Sequence, residues 1–193
     1  SVEKVKKVIT VCEKTGAEYL RIFAGFSPYG EVTGARWKRM VAALNEAAQY
    51  AKERGVVLCV ETHGGVLEYP DGVEHFASVT TEHECLKRLL AEVDGSLRFV
   101  YDPANLYAAG VKEPEKIAAL LQERIGCIHC KEFAVTPLGH LRPAACGDTG
   151  MDWDAALKGL EEFAGPVLME YERTEDVAEG CARSAAFLGK YTE

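Results

Sequence analysis

Residues 55–63 join an unbroken apolar run, 56–60, to an acid and an imidazole at Glu61 and His63. A strand apolar on both faces is covered on both faces, as in a parallel sheet wrapped by helices. Charged groups just past the C-terminal end of such a strand stand where barrels and doubly wound sheets place their chemistry. The arrangement recurs three times: 97–101 runs into Asp102, 125–128 into His129 and 167–169 into Glu170. A chain built this way is constrained to an α/β fold with its reactive groups at one end of a sheet.

Helical spacing fills the intervals. Val2, Val5, Val8, Ile9 and Cys12 share a face and Gly16 ends that helix, before a first strand over 18–25. Residues 26–34, with Pro28, Gly30 and Gly34, read as a loop over the active face. The next helix turns Met40, Val41, Leu44, Ala47, Ala48 and Ala51 inward and stops at Gly55. Residues 64–79 carry Gly64, Gly65, Pro70 and Gly72 and read as a long loop, placed to act as a lid. Thr81 and Glu84 have capping-box spacing ahead of a helix burying Cys85, Leu86, Leu89 and Leu90. Pro114 fits the first turn of a helix that faces Ile117, Leu120 and Leu121 to the sheet. Residues 142–146 read as a short fifth strand, and Asp152 as the cap of a helix with Ala156, Leu157, Leu160 and Phe163 inside. A last strand, 166–172, and a closing helix, 174–190, complete the chain. Trp37 and Trp153, at helix starts, read as packing residues.

These are strand–helix units with crossovers long enough for parallel pairing, in one domain over 1–193. Six such units are expected, whereas a closed eight-unit barrel takes roughly 250 residues. The expectation is a (β/α)8 TIM-barrel type of chain lacking the first two β/α units. The strands at Leu20 and Val167 would then be open apolar edges, covered by residues outside this sequence or by a second copy in a homo-oligomer.

Composition removes several function classes. A net charge of −8 opposes binding to a phosphate backbone, so no nucleic-acid partner is expected. No apolar run approaches the ~20 residues of a membrane span, and the charged opening 1–4 is no signal peptide. Seven cysteines, an odd number spread through strands and helices, read as reduced thiols, so a cytoplasmic location is expected.

Taken singly, an acid at a strand end is ordinarily solvated and a histidine ordinarily hydrogen-bonded within the structure. Jointly, Glu61, Asp102, His129 and Glu170 call for another reading. Alternate side chains of a strand share a face, so Glu61 lies with Cys59 and Val57, and His129 with Cys127. Neighbouring buried carboxylates repel unless a cation compensates them, and a divalent metal is the simplest cation that also uses an imidazole. Three oxygen donors and one nitrogen favour Mn²⁺, Mg²⁺ or Co²⁺ over a thiolate-rich zinc site. Cys127 and Cys130 have zinc-knuckle spacing, but strand geometry sends them to opposite faces and no second pair completes a site. His63 on the Glu61 face, Lys131 on the His129 face and Asn105 three residues past Asp102 are candidates to bind substrate oxygens. A supporting hydrogen bond or a rim charge is the plainer role for each.

In order along the chain, Glu61 in Cys-Val-Glu-Thr-His, Asp102 in Tyr-Asp-Pro-Ala-Asn-Leu and His129 in Ile-His-Cys-Lys-Glu carry a resemblance. Cys-Gly-Asp-Thr-Gly-Met-Asp-Trp from Cys146 and Glu170 in Leu-Met-Glu-Tyr-Glu extend it. The whole resembles the xylose isomerase-like barrels, in particular the sugar phosphate isomerase/epimerase group. That resemblance implies Glu61, Asp102, His129 and Glu170 as metal ligands, with the two glutamates doubling as acid and base. It also implies a small sugar or sugar-like substrate. The chain departs from the group at Asn105, where ketose 3-epimerases usually carry histidine, and at 147–150, where Gly-Glu-Gly is commoner.

A metal chelating a carbonyl and its neighbouring hydroxyl acidifies the shared carbon-bound proton and stabilises the enediolate. Two carboxylates on opposite sides of the substrate then remove a proton and return one elsewhere, which is isomerisation or epimerisation. A lyase of the inosose dehydratase kind would use the same enolate and expel a hydroxyl. A non-catalytic sugar-binding barrel is a third reading. An endonuclease IV-like site would need more than the five histidines present, and a basic groove.

Overall fold

The computed structural model describes residues 1–191. In chain order, α1 (Val2–Thr15) precedes β1 (Tyr19–Ile22), α2 (Gly34–Lys52) and β2 (Val57–Glu61). A hairpin of β3 (Gly65–Tyr69) and β4 (Gly72–Phe76) follows, then α3 (His83–Glu92), β5 (Arg98–Tyr101), α4 (Pro103–Ala108) and α5 (Pro114–Leu121). The remainder is β6 (Ile125–Cys130), β7 (Glu132–Val135), β8 (Leu141–Ala144), α6 (Trp153–Ala156), β9 (Val167–Met169) and α7 (Val177–Leu188). Five strands form one wholly parallel sheet in the order β1-β2-β5-β6-β9. Four others form an antiparallel sheet, β3-β4-β8-β7, beside its C-terminal end.

The helices pack where their spacing sends them. Gly16 closes α1 in the left-handed region (φ 74°), its N–H reaching the Cys12 carbonyl, while Ile9 and Cys12 are buried. α2 buries Trp37, Val41, Leu44, Ala47, Ala48 and Ala51. Both tryptophans are core residues, at 1% and 2% exposure for Trp37 and Trp153.

The two faces of the parallel sheet differ. The outer one carries the large core, with Leu58, Val60, Phe99, Tyr101, Ile125 and Ile128 against the helices. The inner one is thin: Cys59, Val100 and Cys127, with Val57 against them. Residue spacing then sets the next inner layer, because Glu61, Asp102 and His129 each follow one of these three by two positions. The phase of β6 depends on a bulge. Phe99 pairs with Ile125 but Val100 with Cys127, so Gly126 is the extra residue. A Cβ there would lie 2.8 Å from both Cys59 Sγ and Arg98 Cβ, closer than side-chain contacts allow. Glycine at 126 thus lets β6 shift by one and bring His129 into register with the acids.

Several expectations change. The parallel sheet has five strands among the described residues, not six, because 142–146 contributes β8 to the antiparallel sheet. Residues 64–79 are no open loop: Tyr69 pairs with Gly72, so Pro70 and Asp71 form a two-residue hairpin turn. The cap of α3 is Glu82, whose carboxylate accepts the Glu84 and Cys85 N–H groups, whereas Thr81 bonds the Ser78 N–H. The helix capped by Asp152 is a single turn, and α7 begins at Val177. The open-edge expectation agrees with the sheet order, in which β1 and β9 stand at opposite ends without pairing. No helix among the described residues is long and apolar enough to cross a membrane.

Candidate metal centre

Each central residue is delivered by a strand end. Glu61 is the last residue of β2, Asp102 follows β5, His129 lies in β6 and Glu170 follows β9. Their ligand atoms, three carboxylate oxygens and one imidazole nitrogen, all lie within 4.8 Å of one another. His129 Nδ1 is the hub, 3.4 Å from Glu61 Oε1, 3.5 Å from Glu170 Oε2 and 3.9 Å from Asp102 Oδ2. Glu61, Asp102 and His129 are buried and Glu170 is half-buried.

The surroundings fix these groups without saturating them. Asp102 caps α4, its Oδ1 accepting the Asn105 N–H at 2.9 Å. Its own N–H donates to Thr62 Oγ1, tying the ends of β2 and β5 together. Asn105 Nδ2 donates to Glu61 Oε1 at 3.0 Å, and Arg21 Nη1 to Glu61 Oε2 at 2.8 Å. Lys131 Nζ donates to Glu170 Oε2 at 2.7 Å and lies 3.5 Å from Asp102 Oδ2 and 3.6 Å from Glu172 Oε2. Asp102 Oδ2, Asn105 Oδ1 and His129 Nδ1 are buried and have no hydrogen-bond partner among the described residues.

Charge in a buried setting sets the protonation. Burial pushes the Asp102 carboxyl up to about 7, despite Lys131 nearby. Burial also acts to raise Glu61, but His129, Lys131 and Arg21 outweigh it and hold the carboxyl below its usual range. Glu170 is held low first by His129, with Lys131 adding to it. Burial disfavours a charged His129, yet contacts with Cys127, Glu170 and Glu61 raise it to about 11.

The donors fit a divalent ion. Ligands on opposite sides of one ion with bonds of about 2.1 Å stand about 4.2 Å apart, close to the observed spread. Asp102 Oδ2 and His129 Nδ1, buried and without a hydrogen bond among the described residues, are the kind of atoms a cation would complete. The Cys127 and Cys130 thiols fall in opposite cores, as their positions along a strand require, and take no part.

The secondary residues divide. Asn105 and Lys131 join the cluster through direct bonds to Glu61 and Glu170. His63 does not: its Nδ1 sits 2.5 Å from the Gly64 carbonyl, and its ring meets Phe23 and Phe26 edge-on at 5.3 and 5.4 Å. It belongs to an aromatic wall that continues through His75 to Phe133. Next to that wall, a cavity of about 660 Å³ opens between the antiparallel sheet, α4 and 149–152.

Two residues had no place in the sequence reading. Arg21 pairs in register with Cys59 and so shares the inner face, one layer below the acids. An arginine between Leu20 and Ile22 was the available signal. Glu132, at 1% exposure, takes the N–H groups of Gly147, Thr149 and Met151, the Thr149 hydroxyl and the Trp153 indole. It staples the 147–153 segment to the start of β7, directly after Lys131.

The sequence profile of a family described as xylose isomerase-like TIM barrel matches residues 1–191. No curated protein sequence matches the chain. Among solved structures, a xylose isomerase domain protein from Planctomyces limnophilus superposes with a TM-score of 0.76 at 20% identity, over 99% of this chain and 64% of that one. A probable 3-DHS dehydratase involved in petrobactin synthesis in Bacillus anthracis gives 0.77 at 14% identity, over 100% of this chain and 69% of its own. A D-allulose 3-epimerase from Methylomonas sp., in complex with D-allulose, gives 0.65 at 18% identity, over 88% and 55%. The chain thus spans between 55% and 69% of the length of these structures. At such identities the likeness is one of fold.

Proposed function

The chain belongs to the xylose isomerase-like TIM barrel family, and from that premise we propose that it is a divalent-metal-dependent isomerase or epimerase of a sugar or related hydroxy-ketone. The observation that carries the proposal is the convergence of Glu61, Asp102, His129 and Glu170, with buried unpartnered atoms on two of them. These four would hold the ion, with Mn²⁺, Mg²⁺ or Co²⁺ suited to an oxygen-rich set. Once bound, it would polarise a substrate carbonyl and stabilise enediolate charge.

The chain's own groups supply the rest. Glu61 and Glu170, on strands separated by β5 and β6, are assigned as the two acid/base groups. Each takes the carbon-bound proton on its own carboxylate oxygen or returns it. Arg21 and Asn105 fix the Glu61 carboxylate, so the oxygen that moves the proton keeps its position. Asn105 Oδ1, His63 and Lys131 are assigned to substrate oxygens, Lys131 from a position off Glu170. The Phe23–Phe26–His63 wall would keep water away from one side. The substrate reading is supported by the ligand of the epimerase neighbour, D-allulose, and the free cysteines suit a cytoplasmic setting.

The test is exchange of solvent deuterium into a ketose by the metal-loaded protein. Glu61→Gln and Glu170→Gln should each cut exchange by about 10²–10⁴-fold, while His129→Ala should mainly weaken metal binding. Undiminished exchange in both glutamine variants would remove the two-base reading. Loss of a hydroxyl without exchange into recovered ketose would instead place the chain with dehydratases, which need the same carboxylates.

A further inference from the structure

Lys131 is 3% exposed, and its ammonium is spent on the very atoms the centre offers to an ion. Nζ lies 2.7 Å from Glu170 Oε2, the oxygen that also faces His129 Nδ1, and 3.5 Å from the otherwise unpartnered Asp102 Oδ2. One more carboxylate, Glu172, stands 3.6 Å away on the side facing outward, and its side chain is 43% exposed. The Phe133 ring completes the surroundings, with Nζ 5.8 Å from its centroid. Three acids thus surround one buried cation, two of them among the four proposed ligands.

We propose that Lys131 is a tethered counter-ion that competes with the divalent ion for Asp102 and Glu170, and yields to it by shifting toward Glu172. The inference rests on the metal reading above. An ammonium bonded to Glu170 Oε2 and an ion bonded to the same oxygen repel strongly at such separations. Occupancy by the ion therefore drives Nζ off Glu170, and Glu172 is the one further carboxylate within 4.0 Å of it among the described residues. Two consequences follow. Lys131 lowers affinity for the ion while it keeps the carboxylates together whenever the ion is removed, and ion binding moves its ammonium onto Glu172. Lys131 is in this sense a positioning residue, acting through Asp102 and Glu170.

The test is Mn²⁺ titration of the full chain, followed by electron spin resonance of the free ion, with thermal melts in chelator and in Mn²⁺. Lys131→Met should bind Mn²⁺ about tenfold more tightly or better, melt lower in chelator and gain more from Mn²⁺ than the unaltered protein. Glu172→Gln, which removes the resting place, should weaken Mn²⁺ binding several-fold. Should Lys131→Met fail to fold, Lys131→Gln serves for the same titration. Unchanged or weaker Mn²⁺ binding in the Lys131 variants overturns the proposal while leaving the metal reading intact, and a lower melting point alone counts against it. Failure of the unaltered protein to bind Mn²⁺ overturns both.

Discussion

Two sets of acidic side chains, Glu132 at the start of β7 and the three carboxylates at the ends of β2, β5 and β9, are treated in opposite ways. Glu132 meets five donors, three backbone N–H groups, a hydroxyl and an indole, which outweigh burial and hold it ionised. It has no ion pair. Glu61, Asp102 and Glu170 instead face one another and His129 across a small space, balanced by Arg21 and Lys131, with Asp102 Oδ2 reached by Lys131 only at 3.5 Å. A carboxylate saturated by fixed dipoles holds structure. Carboxylates crowded together with unpartnered atoms keep their capacity for a ligand, at a cost that a cation relieves.

Breaking the two sets should therefore give different signatures. The largest stability effect is expected at Glu132. Glu132→Ala leaves the buried Trp153 indole and four partly buried donors without their acceptor and should cost about 3 kcal/mol, equally in Mn²⁺ and in chelator, read from urea melts. Glu61→Gln should lose chiefly the part of stability that Mn²⁺ confers, a contrast that disappears if both sites are merely structural.

A smaller change comes from β6, the strand that carries His129. Gly126→Ala places a methyl against Cys59 and Arg98 and should cost about 1–3 kcal/mol. Because the bulge phases His129, the variant should also bind Mn²⁺ more weakly than its stability loss alone explains. An alanine variant with unaltered Mn²⁺ affinity would detach the bulge from the metal centre.

How much of this contrast was legible depends on what each set is made of. The four proposed ligands were readable because each ends a largely apolar run, the mark of covered strands in β2, β5 and β6, though β9 carries it with its side chains exposed. Glu132 was not, since three of its donors are backbone amides, which any sequence at 147–151 would supply. The β3–β4 hairpin was read as loop because Gly64, Gly65, Pro70 and Gly72 punctuate a hairpin as they do a coil. Arg21 and Gly126 were visible as a charge and a glycine inside apolar strands, but their meaning depends on register, which a lone strand does not specify.

The mildest expected effect lies at the sheet's ends. β9 leaves Val167, Leu168 and Met169 at 44%, 51% and 37% exposure, and β1 leaves Tyr19 at 39%. Unpaired edges with apolar side chains favour association, so we propose a homo-oligomer, and sedimentation should show a mass that rises with concentration. Leu168→Lys should reduce it. A monomer at every concentration would confine the edges to covering by residues outside this sequence.

The central claim is that one ion sits where the four strand ends meet. Anomalous diffraction from a crystal equilibrated with Mn²⁺ tests it most directly. The expected result is a single strong peak within about 2.0–2.6 Å of Glu61, Asp102, His129 and Glu170, with Lys131 Nζ moved toward Glu172. A crystal saturated with Mn²⁺ that shows no peak there, or shows it on other residues, would contradict it.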